Sequence, residues 1–338
     1  MQINNIDKII KNEPNYRKKQ IHKAIWQDYI TNWDECTTLP INLRNELAKQ
    51  TKLEIIAKIT TSQDKRTCKA LLTLEDKSQI ETVLMQHNDR NTICISTQVG
   101  CAMGCLYCAT GSLGFKRNLT VLEILEQVLF WTRFVKKQDQ KINNIVFMGM
   151  GEPFLNYDNV IEAIKLINNP DYFNIGSRRI SISTCGIIES IEKLSNEPLQ
   201  VNLAISLHAS NDETRSKLMK INKQHPIKHL LSAVDKYIAK TNRKVMFEYL
   251  LLKKINDSGQ NAQELIALMN NPLYLVNLVK YNFTDQKTLS PSPKIKHFRE
   301  LLENAGIKVT ERYSFGDDIN AACGQLANKQ RSKKTIKQ

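Results

Sequence analysis

The amino-acid sequence predicts an α/β fold, a partial (β/α)6-type barrel with a small N-terminal accessory domain of helix and strands. Beyond about residue 90, short β-rich apolar runs alternate with segments of helical spacing. Strands that alternate with helices form parallel sheets, and about six such units indicate a full or partial α/β barrel. The first 90 residues lack this alternation, so we expect a separate region there.

Each predicted element rests on its own apolar spacing. The predicted barrel strands are Asn144–Met148, Arg179–Thr184, Val201–Leu207, Val245–Leu251, Leu275–Tyr281 and Ile307–Thr310. The predicted barrel helices are Val121–Val135, Val160–Ile167, Ile227–Ile238, Ala262–Met269 and His297–Asn304. The N-terminal region shows one amphipathic helix, Asn15–Tyr29, and the strands Leu53–Thr60, Lys69–Leu74 and Gln79–Met85. We therefore expect an accessory domain (1–90), a barrel core (91–327) and a basic, disordered tail (328–338).

The composition predicts a globular protein with an anionic partner. Hydrophobic residues make up 41% and charged residues 24%, which is ordinary for a folded domain. No apolar run is long enough for a transmembrane helix, and the N-terminus lacks a secretory signal, so we expect a cytoplasmic protein without membrane partners. The net charge of +14 favours nucleic acid as partner over a merely basic surface, because Lys and Arg that neutralise phosphates release counterions.

Three cysteines stand close together in the stretch CAMGCLYCATG: Cys101, Cys105 and Cys108. In a reducing compartment such a cluster indicates metal binding or catalysis rather than disulfides. A structural zinc site needs four ligands, and no paired C-x2-C or H-x3-H motif supplies a fourth. A 4Fe–4S cluster has four irons that can each take a thiolate, so three cysteines would leave one iron open.

This spacing, C-x3-C-x2-C with Tyr107 before the last cysteine, resembles the signature of radical S-adenosylmethionine (SAM) enzymes. The loop Met148–Pro153 (MGMGEP), which follows a predicted strand, resembles the loop that receives the methionine amino group in those enzymes. The resemblance implies that SAM binds the open iron and gives a 5′-deoxyadenosyl radical on reduction.

The chain further resembles the RlmN/Cfr family of radical SAM methyltransferases that act on adenosine of large-subunit ribosomal RNA. The likeness covers nearly the whole chain, in the stretches Tyr16–Gln20, Ile80–Leu84, Cys94–Gly111, Gly114–Thr120, Met148–Pro153, Arg178–Thr184, Ser206–His208 and Gly316–Leu326. It implies methylation at carbon 2 of an adenosine in the peptidyl transferase region of 23S rRNA, and of adenosine in the anticodon loop of some tRNAs. It also implies two SAM molecules per turnover, a reductant such as flavodoxin or ferredoxin, a monomer, and an accessory domain that helps to grip RNA.

The same resemblance assigns roles to individual residues. Cys323 would take a methyl group from SAM by displacement, and the resulting methylthioether would be joined to the adenine. Glu81 would remove the ring proton, and Cys94 would release the product through a disulfide with Cys323. The positions that match the SAM pocket are Gly151, Glu152, Ser183, Ser206, Leu207, His208 and Asn282.

Alternatives to these roles remain open at the level of sequence. Without the family resemblance, Glu81 would be interpreted as a solvated strand residue and Cys94 as a core residue. His208 would be interpreted as a histidine at a strand end whose hydrogen bonds are satisfied within the fold. The stretch ERYSFGDDI resembles the branch that methylates carbon 8, whereas Gly151–Pro153 and Phe247–Leu252 favour carbon 2. A non-catalytic RNA-binding protein with a zinc staple is a further hypothesis. The remaining cysteines match no functional motif and are interpreted as packing residues: Cys36, Cys68 and Cys185.

Overall fold

A computed structural model describes residues 6–88, 90–284 and 288–327 of the chain. The predicted tail, residues 328–338, lies outside the described residues. The strands are β1 (Ala57–Thr61), β2 (Thr67–Thr73), β3 (Gln79–His87), β4 (Arg90–Cys94), β5 (Gln98–Gly100), β6 (Phe115–Asn118), β7 (Asn144–Phe147), β8 (Ile180–Thr184), β9 (Asn202–Ser206), β10 (Val245–Leu251), β11 (Tyr274–Lys280) and β12 (Val309–Arg312). The helices are α1 (Ile6–Ile9), α2 (Asn15–Trp26), α3 (Ile41–Gln50), α4 (Val121–Lys136), α5 (Tyr157–Asn168), α6 (Ile188–Leu194), α7 (Asp212–Leu218), α8 (Ile227–Thr241), α9 (Gly259–Leu268) and α10 (Ile295–Asn304).

Ten of the described strands form one sheet in the order β1-β2-β3-β4-β7-β8-β9-β10-β11-β12. From β4 to β12 every neighbouring pair in this order is parallel, and β1 to β4 are joined antiparallel. The α/β prediction is confirmed. The described strands leave β1 and β12 as edges, so the sheet is open, as a partial barrel requires.

The parallel strands are apolar because helices cover them. In β10, all residues except Met246 are buried. The helices pack in pairs, α4 on α5, α6 on α8 and α9 on α10. Helix α4 begins at Thr120, whose side chain accepts from the Glu123 N–H while the Glu123 carboxylate accepts from the Thr120 N–H. Such a capping box satisfies two otherwise unpaired main-chain donors and fixes where the helix starts.

Strands of the N-terminal region belong to the same sheet. Strand β3 pairs antiparallel with β4, and Val83 lies opposite Cys94. The side chain of Arg133 on α4 donates to the carbonyl of Leu53, and the Trp33 indole donates to Thr51 Oγ1 at 2.8 Å. Within the described residues no helix has the length and apolar character needed to cross a membrane.

Candidate active site

The three clustered cysteines lie on the loop that connects β5 and β6, which we call the cysteine loop (residues 101–114). The Cys101 N–H donates to the Gly114 carbonyl at 2.9 Å, so the ends of the loop are held together. All three thiols are free and partly buried. Burial raises the pKa of Cys101 to about 12 and also raises that of Cys105. The loop therefore gathers three thiols that a metal would have to bind as thiolates.

The cysteine-loop cavity, of about 150 Å³, is lined by all three cysteines together with residues at the carboxyl ends of β7 to β10. Within the described part of the chain, no three His, Cys, Asp or Glu side chains are placed to hold a single ion. Three thiols around a cavity with further polar walls suit a multi-iron cluster that leaves one iron open for another ligand. These residues fit a 4Fe–4S cluster with SAM beside it.

Glu152 is 4% exposed and lies on the wall of this cavity. Its two carboxylate oxygens accept from the main-chain N–H groups of Phe154 at 3.0 Å and Cys185 at 2.8 Å. Burial raises the pKa of Glu152, and the two main-chain donors oppose that rise. A positively charged amino group beside this buried carboxylate would offset its loss of solvation. The position therefore suits the methionine end of SAM.

Gly151 precedes it with a φ of +101°, a conformation that side chains other than hydrogen rarely adopt. A Cβ at this position would lie 2.6 Å from the Gln98 side chain. The same Gln98 side chain accepts from the Glu152 N–H at 2.9 Å. The glycine therefore allows the close approach that positions Glu152.

The other residues predicted for the SAM pocket fall into three groups. Ser183, Ser206 and His208 line the cysteine-loop cavity, whereas Leu207 is fully buried and lines neither cavity described here. His208 is 5% exposed, and its Nδ1 accepts from the Leu250 N–H at 3.0 Å. Burial lowers the pKa of His208 to about 4, so the ring is neutral. Asn282 lies on the second cavity, where its amide donates to the Cys323 carbonyl at 3.3 Å.

A second cavity, of about 260 Å³, adjoins the first, and we call it the Cys94 cavity. Cys94, at the end of β4, and Cys323 both line it. Cys323 also lines the cysteine-loop cavity and is exposed. The methyl-carrying cysteine predicted from sequence therefore stands on the wall that the two cavities share.

Arg312 lies on this shared wall and Glu248 lies next to it in the cysteine-loop cavity; neither role was predicted from the sequence. Arg312 Nη2 lies 2.6 Å from Glu248 Oε1, and its Nη1 donates to Cys323 Sγ at 3.5 Å. Ser183 donates to the other Glu248 oxygen at 2.7 Å. Burial works against the charge on Arg312, but Glu248 together with Cys323 and Cys94 raises the Arg312 pKa. The only sequence signal was their position in two stretches used as branch markers, FEYLLL and ERYSFGDDI.

Glu81, predicted to be the base, is not among the described residues that line either cavity. It is 2% exposed, with Lys69 Nζ 2.8 Å from Oε1. Its Oε2 accepts from the Ala327 N–H at 2.9 Å. Both oxygens are thus occupied, one of them by the segment that follows Cys323.

The eight cysteines are free in the structure, so no standing disulfide joins Cys94 to Cys323. Burial, and next the neighbouring Cys323, raise the pKa of Cys94 to about 12. Cys36, Cys68 and Cys185 are buried, as predicted for packing residues. Cys185 also helps to position Glu152, because its main-chain N–H donates to the Glu152 carboxylate.

Comparison with known proteins agrees with this geometry. The sequence model of the Radical SAM superfamily matches residues 95–266. A relative from Dictyoglomus turgidum, "Probable dual-specificity RNA methyltransferase RlmN", is 45% identical over 329 residues, covering 96% of this chain and 94% of its own. A relative of the same description from Symbiobacterium thermophilum is 40% identical, covering 95% and 88%.

A crystal structure of a radical SAM methyltransferase from Sphaerobacter thermophilus superposes with a TM-score of 0.91. It is 40% identical in sequence, and the match covers 96% of this chain and 97% of that one. Identity of this extent over nearly the whole length means that the protein belongs to the radical SAM superfamily and, within it, to the RlmN family of RNA methyltransferases.

Proposed function

We propose that this enzyme methylates carbon 2 of an adenosine in the peptidyl transferase region of 23S rRNA, and adenosine in the anticodon loop of tRNA. The observation that carries the proposal is the position of Cys323 on the wall between two cavities. A residue that collects a methyl group at one site and delivers it to a base at another must face both. The relatives named above, described as dual-specificity RNA methyltransferases, support two RNA substrates and favour carbon 2 over the carbon-8 alternative.

As a member of its family the enzyme uses SAM and a 4Fe–4S cluster, which together supply the methyl group and a 5′-deoxyadenosyl radical when bound. Cys101, Cys105 and Cys108 would hold the cluster, and Glu152 the amino group of SAM. Carbon 2 of adenine is too poor in electrons to attack a methyl donor directly. The Cys323 sulfur is a good nucleophile and would accept the methyl group first.

Two further residues would complete the transfer. Cys94 lines the same cavity as Cys323, so it can reach the sulfur that links protein and RNA. A transient Cys94–Cys323 disulfide would then release the methylated base. Glu81 would take the ring proton once Ala327 no longer occupies its Oε2. This assignment requires the segment after Cys323 to move during the reaction.

The same proposal includes how the enzyme binds RNA, its electron donor, its oligomeric state and its cellular compartment. The whole chain has a net charge of +14, and the accessory domain (1–90) would help it to bind the phosphates of the RNA backbone. A reductant such as flavodoxin or ferredoxin would deliver the electron, and the enzyme would act as a monomer. Its RNA substrates are found in the cytoplasm, where we expect the protein.

The test is methylation of rRNA fragments and tRNA by anaerobically reconstituted enzyme, followed by mass spectrometry of the nucleosides. We expect 2-methyladenosine in both RNAs, whereas 8-methyladenosine would show that the carbon-8 alternative is right. Metal analysis tests the zinc alternative. A brown protein with about four irons per chain supports the proposal, and a colourless protein that contains only zinc contradicts it.

A further inference from the structure

Three aromatic residues form one wall of the Cys94 cavity: His87, Tyr313 and Phe315. Tyr313 and Phe315 have ring centroids 4.9 Å apart, and the His87 ring meets Phe315 edge-on at 5.8 Å. We call this group the aromatic wall. It joins the end of β3 to the chain just beyond β12, two elements at different positions along the sheet.

The aromatic wall is not part of the hydrophobic core. Tyr313 is 69% exposed, and His87 is also exposed. The three rings contact one another, so His87 and Phe315 support Tyr313 without covering it. An exposed tyrosine at a cavity that is also lined by three thiols presents a flat apolar face to whatever enters.

From this arrangement we infer that the aromatic wall is the stacking surface for the adenine base that enters the Cys94 cavity. The inference rests on the proposed function and names the residues that position its substrate. Enzymes that act on a base take it out of its stack and hold it against aromatic or apolar side chains. The face of the adenine packs on Tyr313, while its edge points to Cys323 and Cys94 on the thiol-containing wall.

Charge next to the wall agrees with an RNA occupant. His87 lies opposite Arg90 in the β3–β4 register, and Arg90 is exposed. Lys280, at the end of β11, is exposed as well, beside Val279 on the cavity wall. Positive groups beside an aromatic face suit the phosphates that flank an unstacked base.

The test compares two RNA hairpins that differ at one loop position, adenosine in one and an abasic residue in the other. Binding to the reconstituted holoenzyme is measured by fluorescence anisotropy without SAM or reductant, so that no reaction occurs. Base–aromatic stacking predicts that the wild-type enzyme prefers the adenosine hairpin by about 5- to 100-fold. Tyr313→Ala removes most of this preference, Tyr313→Phe keeps it, and Tyr313→Leu keeps only the part due to apolar area.

Ile41→Ala is the matched control, because Ile41 is 63% exposed and lines neither cavity. Its preference should equal that of the wild type. An unchanged preference in Tyr313→Ala overturns the inference, and so does a wild-type enzyme that binds both hairpins equally. Methylation of the adenosine hairpin by the same preparation separates the two claims. If the enzyme methylates the adenosine hairpin but shows no binding preference that depends on Tyr313, only the stacking role of the aromatic wall is refuted. If it shows neither methylation nor that preference, the proposed function is refuted as well.

Discussion

The two cavities that meet at Cys323 are held in place by different kinds of contact. Two polar side chains of the cysteine-loop cavity are fixed by main-chain groups at strand ends, Glu152 by Cys185 and His208 by Leu250. The Cys94 cavity is instead bounded by the segment 321–327, which follows the last described strand. That segment is held by hydrogen bonds that include contacts with the cysteine loop and with β3.

Two of these bonds reach the cysteine loop and one reaches β3. Ala109 donates to the Gly324 carbonyl at 2.7 Å, Thr110 to the Leu326 carbonyl at 2.6 Å, and the Ala327 N–H to Glu81 at 2.9 Å. The comparison teaches that the polar groups around the proposed SAM site are held at strand ends, whereas the residue proposed to carry the methyl group lies on a segment outside the described strands, attached by hydrogen bonds alone.

Replacing the residue that joins the two cavities is expected to have the largest effect. Cys323→Ala removes the sulfur proposed to accept the methyl group, so no methylated adenosine should be detected by nucleoside mass spectrometry. SAM binding, measured by equilibrium dialysis, should stay near the wild-type level because Glu152 and its partners are untouched.

Cys36→Ala is the control for loss of a thiol, since Cys36 is buried away from both cavities. It should methylate RNA. If Cys323→Ala still produced methylated adenosine, the methyl group would not be transferred through Cys323. The position of Cys323 between the two cavities would then have no role in the reaction.

Residues at strand ends, such as those of the cysteine-loop cavity, could be predicted from the sequence better than residues of the C-terminal segment. The parallel strands and the residues at their ends follow from apolar spacing, because period and position alone place Glu152, Ser183 and His208 at one edge of the sheet. Strand Val245–Leu251 is predicted to the residue. By contrast, strand β4 (Arg90–Cys94) was missed because five residues before a polar loop carry little pattern.

The C-terminal part of the site could not be foreseen in the same way. The contact of Ala327 with Glu81 joins residues 246 positions apart, and no local spacing encodes it. The Lys69–Glu81 ion pair lies inside a strand pair, where alternation predicts burial but not charge. Arg312 ends an edge strand whose pattern is only partly apolar, and Tyr313 follows it. Motif resemblance found Glu81, Cys94 and Cys323 without predicting that Glu81 is enclosed.

Loosening the C-terminal segment should have the next largest effect. Lys69→Met removes the cation from a pair in which Lys69 is 9% and Glu81 3% exposed, and leaves a buried carboxylate unpaired. Breaking such a pair costs about 3–5 kcal/mol in the free energy of unfolding, measurable by urea titration. The Lys69 contact with the Asn320 carbonyl is lost as well, so RNA methylation should fall more than SAM binding.

Lys116→Met provides the matched control, because Lys116 is 61% exposed and lies 3.6 Å from Asp76 at the surface. The Lys116→Met substitution should lower the free energy of unfolding by no more than about 1 kcal/mol. The double variant Lys69→Met with Glu81→Leu should recover most of the lost stability. If it is no more stable than Lys69→Met, the buried ion pair is not the cause of the effect.

The cysteine-loop cavity has its own signature in the pH dependence of stability. His208 has its pKa lowered from 6.5 to about 4 by burial, so it is neutral in the folded protein. Below pH 6.5 the unfolded chain binds a proton that the folded protein does not. The folded state therefore loses stability as pH falls from 6.5 to 4, by about 3 kcal/mol from this residue.

The measurement is urea unfolding between pH 7 and pH 4 for the wild type and His208→Gln. Glutamine does not titrate, so the stability difference between the two proteins should shrink as pH falls. Parallel curves would mean that His208 is not held neutral by burial. RNA methylation is not needed for this test, which concerns only the cavity that sequence predicted well.

Arg312 belongs to both cavities, and its conservative replacement should have the smallest of these effects. Arg312→Lys keeps the positive charge but cannot reach Glu248 Oε1 and Cys323 Sγ together as the guanidinium does. Loss of one hydrogen bond to a charged group, about 1.5–3 kcal/mol, slows methylation of Cys323 roughly 10- to 100-fold. Peptide mass spectrometry of methylated Cys323 over time measures this rate. Arg299→Lys, at an exposed pair with Glu303, should leave the rate unchanged. Equal rates in Arg312→Lys and the wild type would show that Arg312 only neutralises Glu248 and does not position the sulfur between the two cavities.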